Sequence, residues 1–281
     1  MKFSLILATV GRVRELERFL ASLAIQTYRD FELIVIDQNQ DDRLVPLLKN
    51  YENHFQVKHL RSAPGLSRAR NAGLRHITGD IVGFPDDDCW YPQRLLDGIE
   101  KFLKGDTHWD ILTVAPLNEK GAFFLGRGSL HRGYLTQSSV WKSAISWTLF
   151  IKRHVAEAVG PFDEKLGIGS GTRWQSGEET DFLVRAMKMG FSMWSEPDLA
   201  VYHEAAYIRF GLPDARKTYR YALGMGHVLK KNGYPIVPTS YFILKPLAGA
   251  LLMLAAARPR EALRYCCMFS GRLLGYASSP S

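Results

Sequence analysis

Residues 3–37 read FSLILATVGRVRELERFLASLAIQTYRDFELIVID, and this stretch indicates the fold. It begins with a continuous apolar run, Phe3–Thr9, and ends with a second one, Phe31–Asp37. Such runs are typical of strands that are covered on both faces. Between them, residues 12–25 carry apolar side chains at helical spacing. The stretch therefore predicts a strand, a crossover helix and a second, parallel strand.

The same alternation continues beyond this unit. Helices are predicted at residues 42–51 and 65–76, and strands at residues 57–60 and 81–84. Alternating strands and helices predict an α/β fold with a mixed, mainly parallel sheet that is flanked by helices. Ligands bind such sheets at the carboxyl ends of the strands. Three predicted strands end there at polar or acidic side chains, which are Thr9, Asp37 and the triplet Asp86, Asp87 and Asp88.

Composition and charge narrow the class of protein. The chain has 281 residues, of which 46% are hydrophobic and 23% are charged, and this excludes a wholly disordered chain. The formal charge of +8 indicates an anionic partner: nucleic acid, a negatively charged membrane face or a phosphorylated substrate. The three cysteines, Cys89, Cys266 and Cys267, lack zinc-site spacing and favour a reducing, cytosolic setting.

The second half of the chain is less regular. Strands are predicted at residues 111–115, 122–125, 147–151 and 200–203, and helices at residues 178–189 and 214–231. Residues 241–257 are mostly apolar, but Lys245 and Pro246 interrupt them and basic residues flank them. This segment is short for a membrane span, so we predict no clear transmembrane helix. An interfacial membrane helix and a buried or partner-covered helical hairpin fit the segment equally well.

The triplet Asp86, Asp87 and Asp88 is the strongest chemical signal. Three adjacent carboxylates repel one another unless a cation lies among them. The hard oxygen ligands suit Mg²⁺ or Mn²⁺, which usually also contact phosphate oxygens. A solvated acidic turn is the alternative. Pro85 and the aromatic residues that follow the triplet favour a rigid, specific turn instead.

Several segments resemble those of family 2 glycosyltransferases with the GT-A fold. VGFPDDDCWYP resembles the family's DxD segment. SLILATVGR resembles its first strand and nucleotide-binding loop, and FELIVIDQNQDD resembles its second strand, which carries an acid that contacts the base or the ribose. GLSRARNAGL resembles the helix that supplies an arginine near the diphosphate, and GEETDFLVRAMKMG the motif of the catalytic base. The resemblance covers residues 1–205. It implies a GT-A-like, Rossmann-type domain at residues 1–210, followed by a basic and apolar helical extension at residues 211–281.

The resemblance also implies a donor site. Arg70 would face the diphosphate, and Asp88 would bind Mg²⁺ or Mn²⁺. His203 would complete the metal's ligand shell or have a structural role. The residues that the resemblance assigns to the donor nucleotide are Thr9, Arg12, Asp37, Arg70, Asp86 and Asp87.

A second acidic group would serve the acceptor. Glu179 stands where family members often have the catalytic aspartate, and Glu178 is the alternative base. A general base must come within about 3 Å of the proton that it removes. Asp181 and Trp174 are predicted to bind the acceptor. The structural alternative is an acidic helix N-terminus that the helix dipole favours.

These features predict an inverting, metal-dependent glycosyltransferase. It would move a sugar from a nucleotide-sugar donor, most simply a UDP-sugar, to a hydroxyl of a glycan or lipid-linked acceptor in cell-surface polysaccharide synthesis. We expect a cytoplasmic location, with attachment to an anionic membrane surface as one option. A metal-dependent nucleotidyltransferase and a non-catalytic glycan- or membrane-binding scaffold are the rival classes. We expect no nucleic-acid partner, because no recognised motif supports one and an acid-lined cleft opposes it.

Overall fold

The computed structural model describes residues 1–105, 109–123, 131–204 and 212–279. The chain divides into two structural units. The sheet unit comprises Met1–Pro64, Arg68–Pro161 and Arg185–Ala206, and the helical unit comprises Gly65–Ser67, Phe162–Val184 and Tyr207–Ser281. The helical unit therefore takes in Phe162–Val184 as well as the predicted C-terminal extension.

All the described strands lie in one mixed sheet of the sheet unit. In spatial order the strands are β3-β2-β1-β4-β8-β6-β9-β5, and β7 also pairs with β9. Parallel pairings join β3 to β2, β2 to β1 and β1 to β4, and another joins β6 to β9. The remaining pairings are antiparallel. In chain order the strands are β1 (Phe3–Thr9), β2 (Phe31–Asp37), β3 (Gln56–Arg61), β4 (Ile81–Gly83), β5 (Cys89–Trp90), β6 (Ile111–Leu117), β7 (Gly133–Tyr134), β8 (Leu149–Lys152) and β9 (Met193–His203).

The helices follow the predicted alternation in the first half of the chain. The structure adds α4, α5 and α6, for which no helix was predicted, and α10 lies in the predicted helical extension. The strand β9 begins well before the predicted residues 200–203. The strand predicted at residues 122–125 lies partly outside the described residues. The helices are α1 (Arg14–Ala24), α2 (Val45–Lys49), α3 (Leu66–Leu74), α4 (Leu95–Gly105), α5 (Val140–Ser143), α6 (Arg153–Val159), α7 (Glu178–Lys188), α8 (Leu212–Lys231), α9 (Ile236–Ala255) and α10 (Pro259–Ala277).

The core of the sheet unit explains why the first strands are apolar throughout. Every residue of β2 is buried, and β1 is buried along nearly all of its length. The helix α1 packs its apolar stripe, which includes Leu16, Leu20 and Leu23, into the same hydrophobic core. The register aligns Thr9 with Asp37, so the carboxyl ends of the central strands lie side by side. The predicted α/β architecture is confirmed.

In the helical unit, α8 and α10 pack closely because glycines line their contact. A Cβ atom added at Gly226 would collide with the carbonyl oxygen of Arg272, and one added at Gly275 would collide with that of Leu223. Backbone atoms cannot move aside as a flexible side chain can. Glycine at these positions therefore allows the two helix backbones to approach each other.

The helix α9 covers most of the apolar segment at residues 241–257. It begins at Ile236, and Pro246 lies inside the continuous helix rather than ending it. Within the described ranges, α9 is the one helix that is long and apolar enough to cross a membrane. Of its apolar 18-residue stretch, 28% is buried. Length and composition alone do not distinguish a span from other apolar helices.

Replacing Gly275 by alanine tests the close helix packing. The added methyl group should force α8 and α10 apart and lower the free energy of unfolding by about 1–3 kcal/mol. Chemical denaturation of the full chain measures this change. Gly105→Ala is the matched control, because nothing lies within 4 Å of a Cβ atom there. Equal stability of the two variants would contradict the packing argument.

Candidate active site

The acidic triplet lies where three strands meet. Asp86 follows β4 and forms a parallel bridge with Ala8 of β1. Just beyond the triplet, β5 pairs with the last residues of β9, and Cys89 lies opposite His203. The sheet pairing therefore brings a histidine that is distant in sequence next to the carboxylates.

Asp86, Asp88 and His203 form a cluster that could hold a metal ion. One ligand atom from each residue lies within 4.8 Å of the others. The Nε2 atom of His203 is 2.8 Å from Oδ1 of Asp88. The imidazole ring is held by stacking on Trp147, with ring centroids 5.3 Å apart. Two carboxylates and one imidazole form a donor set that fits a divalent cation.

The third carboxylate, Asp87, accepts hydrogen bonds from Thr9, the last residue of β1, and from Arg12 in the loop that follows. The Thr9 hydroxyl donates a hydrogen bond of 2.6 Å to Oδ2 of Asp87, and Nη1 of Arg12 donates one of 2.7 Å to Oδ1. Arg12 also forms an ion pair with Asp88. Thr9 is fully buried. Its side chain therefore supports Asp87, and the structure provides no exposed hydroxyl at Thr9 for the predicted nucleotide contact.

Burial and the charges of neighbouring groups shift the pKa values of the residues in this cluster. Burial, with the charges of Asp88 and Asp87, raises the pKa of Asp86 to about 6 against the opposing charge of Arg70. Burial opposes ionisation of Asp88 too, but the hydrogen bond and charge of His203, together with Arg12, lower its pKa. Burial disfavours the charged form of His203, but Asp88 outweighs it and raises the pKa of His203. A bound cation would relieve this repulsion.

Arg70 is a buried cation beside the triplet. Its side chain is 2% exposed, and its Nη2 atom is 3.8 Å from Oδ1 of Asp86. Its guanidinium carbon lies 6.0 Å from the centroid of the Phe84 ring. The structure therefore places Arg70 next to a carboxylate of the triplet, and its position near a diphosphate stays a prediction.

Arg18 is a supporting residue that sequence reasoning missed. Its Nη2 atom donates a hydrogen bond of 2.8 Å to the backbone oxygen of Asp88. Its guanidinium lies 4.4 Å above the Trp90 ring, and Trp90 stacks on Tyr202 with centroids 5.7 Å apart. Arg18 lies on α1, far from the triplet in sequence, so no local motif marks it. This stack accounts for Trp90 as a structural residue of the turn.

Asp37 has a different environment from the one that we predicted. Its carboxylate is fully buried, and Oδ1 accepts hydrogen bonds of 2.8 and 2.7 Å from the backbone and side-chain nitrogens of Asn39. Oδ2 lies 2.9 Å from Nε2 of His59 and 3.2 Å from Nη1 of Arg61. Asn39 in turn accepts a hydrogen bond of 2.7 Å from the backbone of Gly11. Asp37 thus holds two loops together, and direct contact with a nucleotide would require one of its partners to move.

In the helical unit, Glu178 and Glu179 lie in the first turn of α7. Glu178 is buried and Glu179 is half-buried. Gly167 approaches the Glu178 side chain so closely that an added Cβ atom would lie 3.1 Å from its carboxyl carbon. Glu179 is therefore the more accessible of the two candidate bases.

Asp181 lies on the same helix but is fully buried. Its Oδ1 atom is 2.9 Å from Nδ2 of Asn232 and 2.9 Å from Nζ of Lys231. Lys231 also contacts Asp163 at 2.7 Å. These contacts tie α7 to the C-terminal end of α8. Its carboxylate is enclosed by these partners, and acceptor binding by Asp181 stays a prediction.

Trp174, the other predicted acceptor residue, stacks on a histidine. Its ring and that of His227 have centroids 3.8 Å apart and an interplanar angle of 17°. His227 is itself buried and contacts Ser279 at 2.7 Å. The guanidinium carbon of Arg173 also lies over the Trp174 ring, 5.6 Å from its centroid.

Comparison with known proteins decides the family. A family model described as "Glycosyl transferase family 2" matches residues 4–156, more than half of the chain. This chain belongs to glycosyltransferase family 2. An uncharacterized glycosyltransferase of Nostoc sp. is 28% identical over 177 residues, which cover 58% of this chain and 54% of the relative. The chain spans about half the length of that relative and a smaller share of several others.

Solved glycosyltransferase structures share the fold. S. aureus TarS 1–349 in complex with UDP-GlcNAc superposes with a TM-score of 0.61 and 18% identity, over 99% of this chain and 91% of TarS 1–349. The mannosyltransferase PcManGT from Pyrobaculum calidifontis, in complex with GDP-Man and Mn²⁺, gives 0.62 and 19%, over 100% of this chain and 76% of that one. These likenesses confirm the GT-A fold of this glycosyltransferase.

Replacing one carboxylate of the cluster tests its capacity for metal. In a calorimetric titration with Mn²⁺, Asp88→Asn should bind at least about tenfold more weakly than the unmodified chain, because a charged ligand is lost. Asp97→Asn is the matched control, since Asp97 only pairs with Lys101 on the surface of α4. Equal Mn²⁺ affinity of Asp88→Asn and the unmodified chain would show that the cluster does not hold the metal.

Proposed function

We propose that this chain is an inverting, metal-dependent glycosyltransferase that transfers a sugar from a nucleotide-sugar donor to a hydroxyl group. The cluster of Asp86, Asp88 and His203 at the carboxyl edge of a GT-A sheet carries the proposal. This edge is where α/β sheets bind their ligands. A solvated acidic turn does not account for an imidazole held by Trp147 within hydrogen-bond distance of a carboxylate.

The proposed donor is a nucleoside-diphosphate sugar. Solved relatives of the same fold are described in complex with UDP, UDP-GlcNAc and GDP-Man, which supports a donor of this class. A UDP-sugar is the simplest candidate. In this proposal Arg70 and Arg12 supply positive charge for the diphosphate. The buried contacts of Thr9 and Asp37 favour a supporting role for these two residues at the same edge.

Asp86, Asp88 and His203 would hold Mn²⁺ or Mg²⁺. When bound, the ion neutralises charge on the departing nucleoside diphosphate, which is otherwise a poor leaving group. The imidazole nitrogen favours Mn²⁺ over Mg²⁺, because Mg²⁺ prefers oxygen ligands. The ion pairs of Arg12 with Asp87 and Asp88 keep the carboxylates close together. The carbonyl hydrogen bond from Arg18 fixes the backbone of the turn.

Glu179 is the proposed general base, and Glu178 is the second candidate. Glu179 is more accessible than Glu178, which is what proton removal from an acceptor hydroxyl requires. In the proposed step the hydroxyl oxygen attacks the anomeric carbon as its proton passes to the carboxylate. The bond to the diphosphate breaks on the opposite side of that carbon, so a single displacement inverts the configuration.

The acceptor and the cellular setting are also proposals. We propose a glycan or lipid-linked hydroxyl acceptor in cell-surface polysaccharide synthesis, with the enzyme in the cytoplasm at the inner face of the membrane. Trp174 is the proposed residue for stacking on an acceptor sugar, since aromatic rings suit sugar faces. The short coverage of the curated relatives makes the activity of the whole protein a matter for direct measurement.

A donor screen with variants of both acidic groups tests the proposal. The rate of nucleoside-diphosphate release is measured from UDP- and GDP-sugars, with and without Mn²⁺. The melting temperature of the protein is measured in parallel with each free nucleotide. One nucleotide should raise the melting temperature in the presence of Mn²⁺. Glu179→Gln should retain this shift but lose at least about 100-fold in the rate of release, because it lacks the base.

Glu164→Gln is the matched control, since Glu164 is an exposed glutamate of the same unit. It should keep both the thermal shift and the rate. A full rate in both Glu178→Gln and Glu179→Gln would contradict the assignment of the base. The absence of a thermal shift with every nucleotide would contradict the donor class.

A further inference from the structure

An apolar surface covers one side of α9. The side chains of its leucines are unusually exposed, with Leu251 at 62% and Leu252 at 66%. Large apolar residues are normally buried, and a contiguous exposed group marks an interaction surface. The exposed members that define this surface, which we call the α9 face, are Ile236, Leu244, Leu247, Leu251, Leu252 and Leu254.

Helical geometry gathers these residues on one half of the helix. At about 100° per residue, the α9 face falls within about half of the helix circumference. The buried residues, which include Phe242, Pro246 and Ala250, fall on the other half. Lys245 is exposed and falls at the boundary between the two halves. The helix therefore has a continuous apolar side whose edge carries a cation.

The net positive charge of the chain lies in the sequence segment that contains α9. Residues 215–281 contain ten lysines and arginines and one acidic residue, Glu261. Residues 1–214 contain 26 basic and 27 acidic residues, so the segment from residue 215 onwards carries the whole net positive charge. The one acid is itself close to Arg258, at 3.6 Å. Arg258 and Arg260 are exposed directly after α9.

We infer that the α9 face binds an anionic lipid bilayer, with α9 lying in the plane of the interface. An apolar side embeds in the acyl boundary while flanking cations meet the lipid phosphates. In this orientation Lys245 reaches water at the edge of the embedded side. A spanning orientation would instead place its ammonium group near the middle of the bilayer, where a charge is costly.

A second copy of the chain is the competing occupant. Two-fold association brings the same surface of both copies together. Here it would bring two strongly basic segments together, which repel each other, whereas anionic lipid attracts them. Charge complementarity therefore selects the membrane. The inference names a partner of the helical unit and does not depend on the proposed sugar transfer, so failure of one leaves the other standing.

Vesicle flotation of the full chain tests the inference. Vesicles of phosphatidylcholine with about 30% phosphatidylglycerol are compared with vesicles of phosphatidylcholine alone. The chain should float with the anionic vesicles and much less with the neutral ones, and added salt should weaken binding. The variant Leu244→Ser/Leu251→Ser removes two central residues of the α9 face and should weaken binding at least about tenfold.

Ile25→Ser/Val45→Ser is the matched control, because both residues are exposed apolar side chains of the sheet unit. It should bind vesicles like the unmodified chain. Circular dichroism checks that both variants retain their helices. Alkaline carbonate should release the bound chain, as it does proteins that lie on a membrane.

Three results would overturn the inference. The first is no binding to anionic vesicles. If light scattering then shows a dimer that Leu244→Ser/Leu251→Ser dissociates, the α9 face binds a second copy of the chain instead. The second is equal binding of that variant and the unmodified chain, which would exclude the α9 face. The third is retention of the bound chain in carbonate, which would exclude the in-plane orientation.

Discussion

Repulsion among three adjacent carboxylates at the end of β4 is the constraint on which the candidate site depends. Such a triplet is unfavourable in a partly buried turn unless cations compensate it. The chain supplies that compensation from three separate elements: Arg12 after β1, Arg70 on α3 and His203 at the end of β9. Burial, together with the charges of Asp88 and Asp87, still raises the pKa of Asp86 to about 6. We propose that an additional cation binds beside the triplet, at Asp86, Asp88 and His203, which could hold a metal ion.

The same constraint explains features of the fold that would otherwise be unrelated. The pairing of the very short β5 with β9 aligns Cys89 with His203 and so fixes the imidazole beside Asp88. The Arg18 side chain holds the turn by its backbone and lies over Trp90. A substrate phosphate would arrive at an edge where positive charge is already ordered, which reduces the reorganisation that binding requires.

The spacing of apolar residues along the chain predicted the buried strands and the amphipathic helix of the first half correctly. The apolar runs of β1 and β2 and the spacing of α1 specify buried elements directly, and their predicted positions are confirmed. The partners of Asp37 were missed, because His59 and Arg61 reach it only through the register of β2 with β3. The burial of Asp181 by Lys231 and Asn232 likewise depends on how α8 packs. Periodicity left the exposure of the apolar segment undecided, and the structure shows it in the leucines of α9.

We propose that the cluster of Asp86, Asp88 and His203 is a metal-dependent nucleotide site. Crystals grown with UDP and Mn²⁺, measured near the manganese absorption edge, test it most directly. An anomalous difference peak should lie about 2 Å from carboxylate oxygens of Asp86 or Asp88 and from Nε2 of His203, with diphosphate density beside it. A manganese peak away from these residues, or a nucleotide bound at another edge of the sheet, would show that the cluster is not this site.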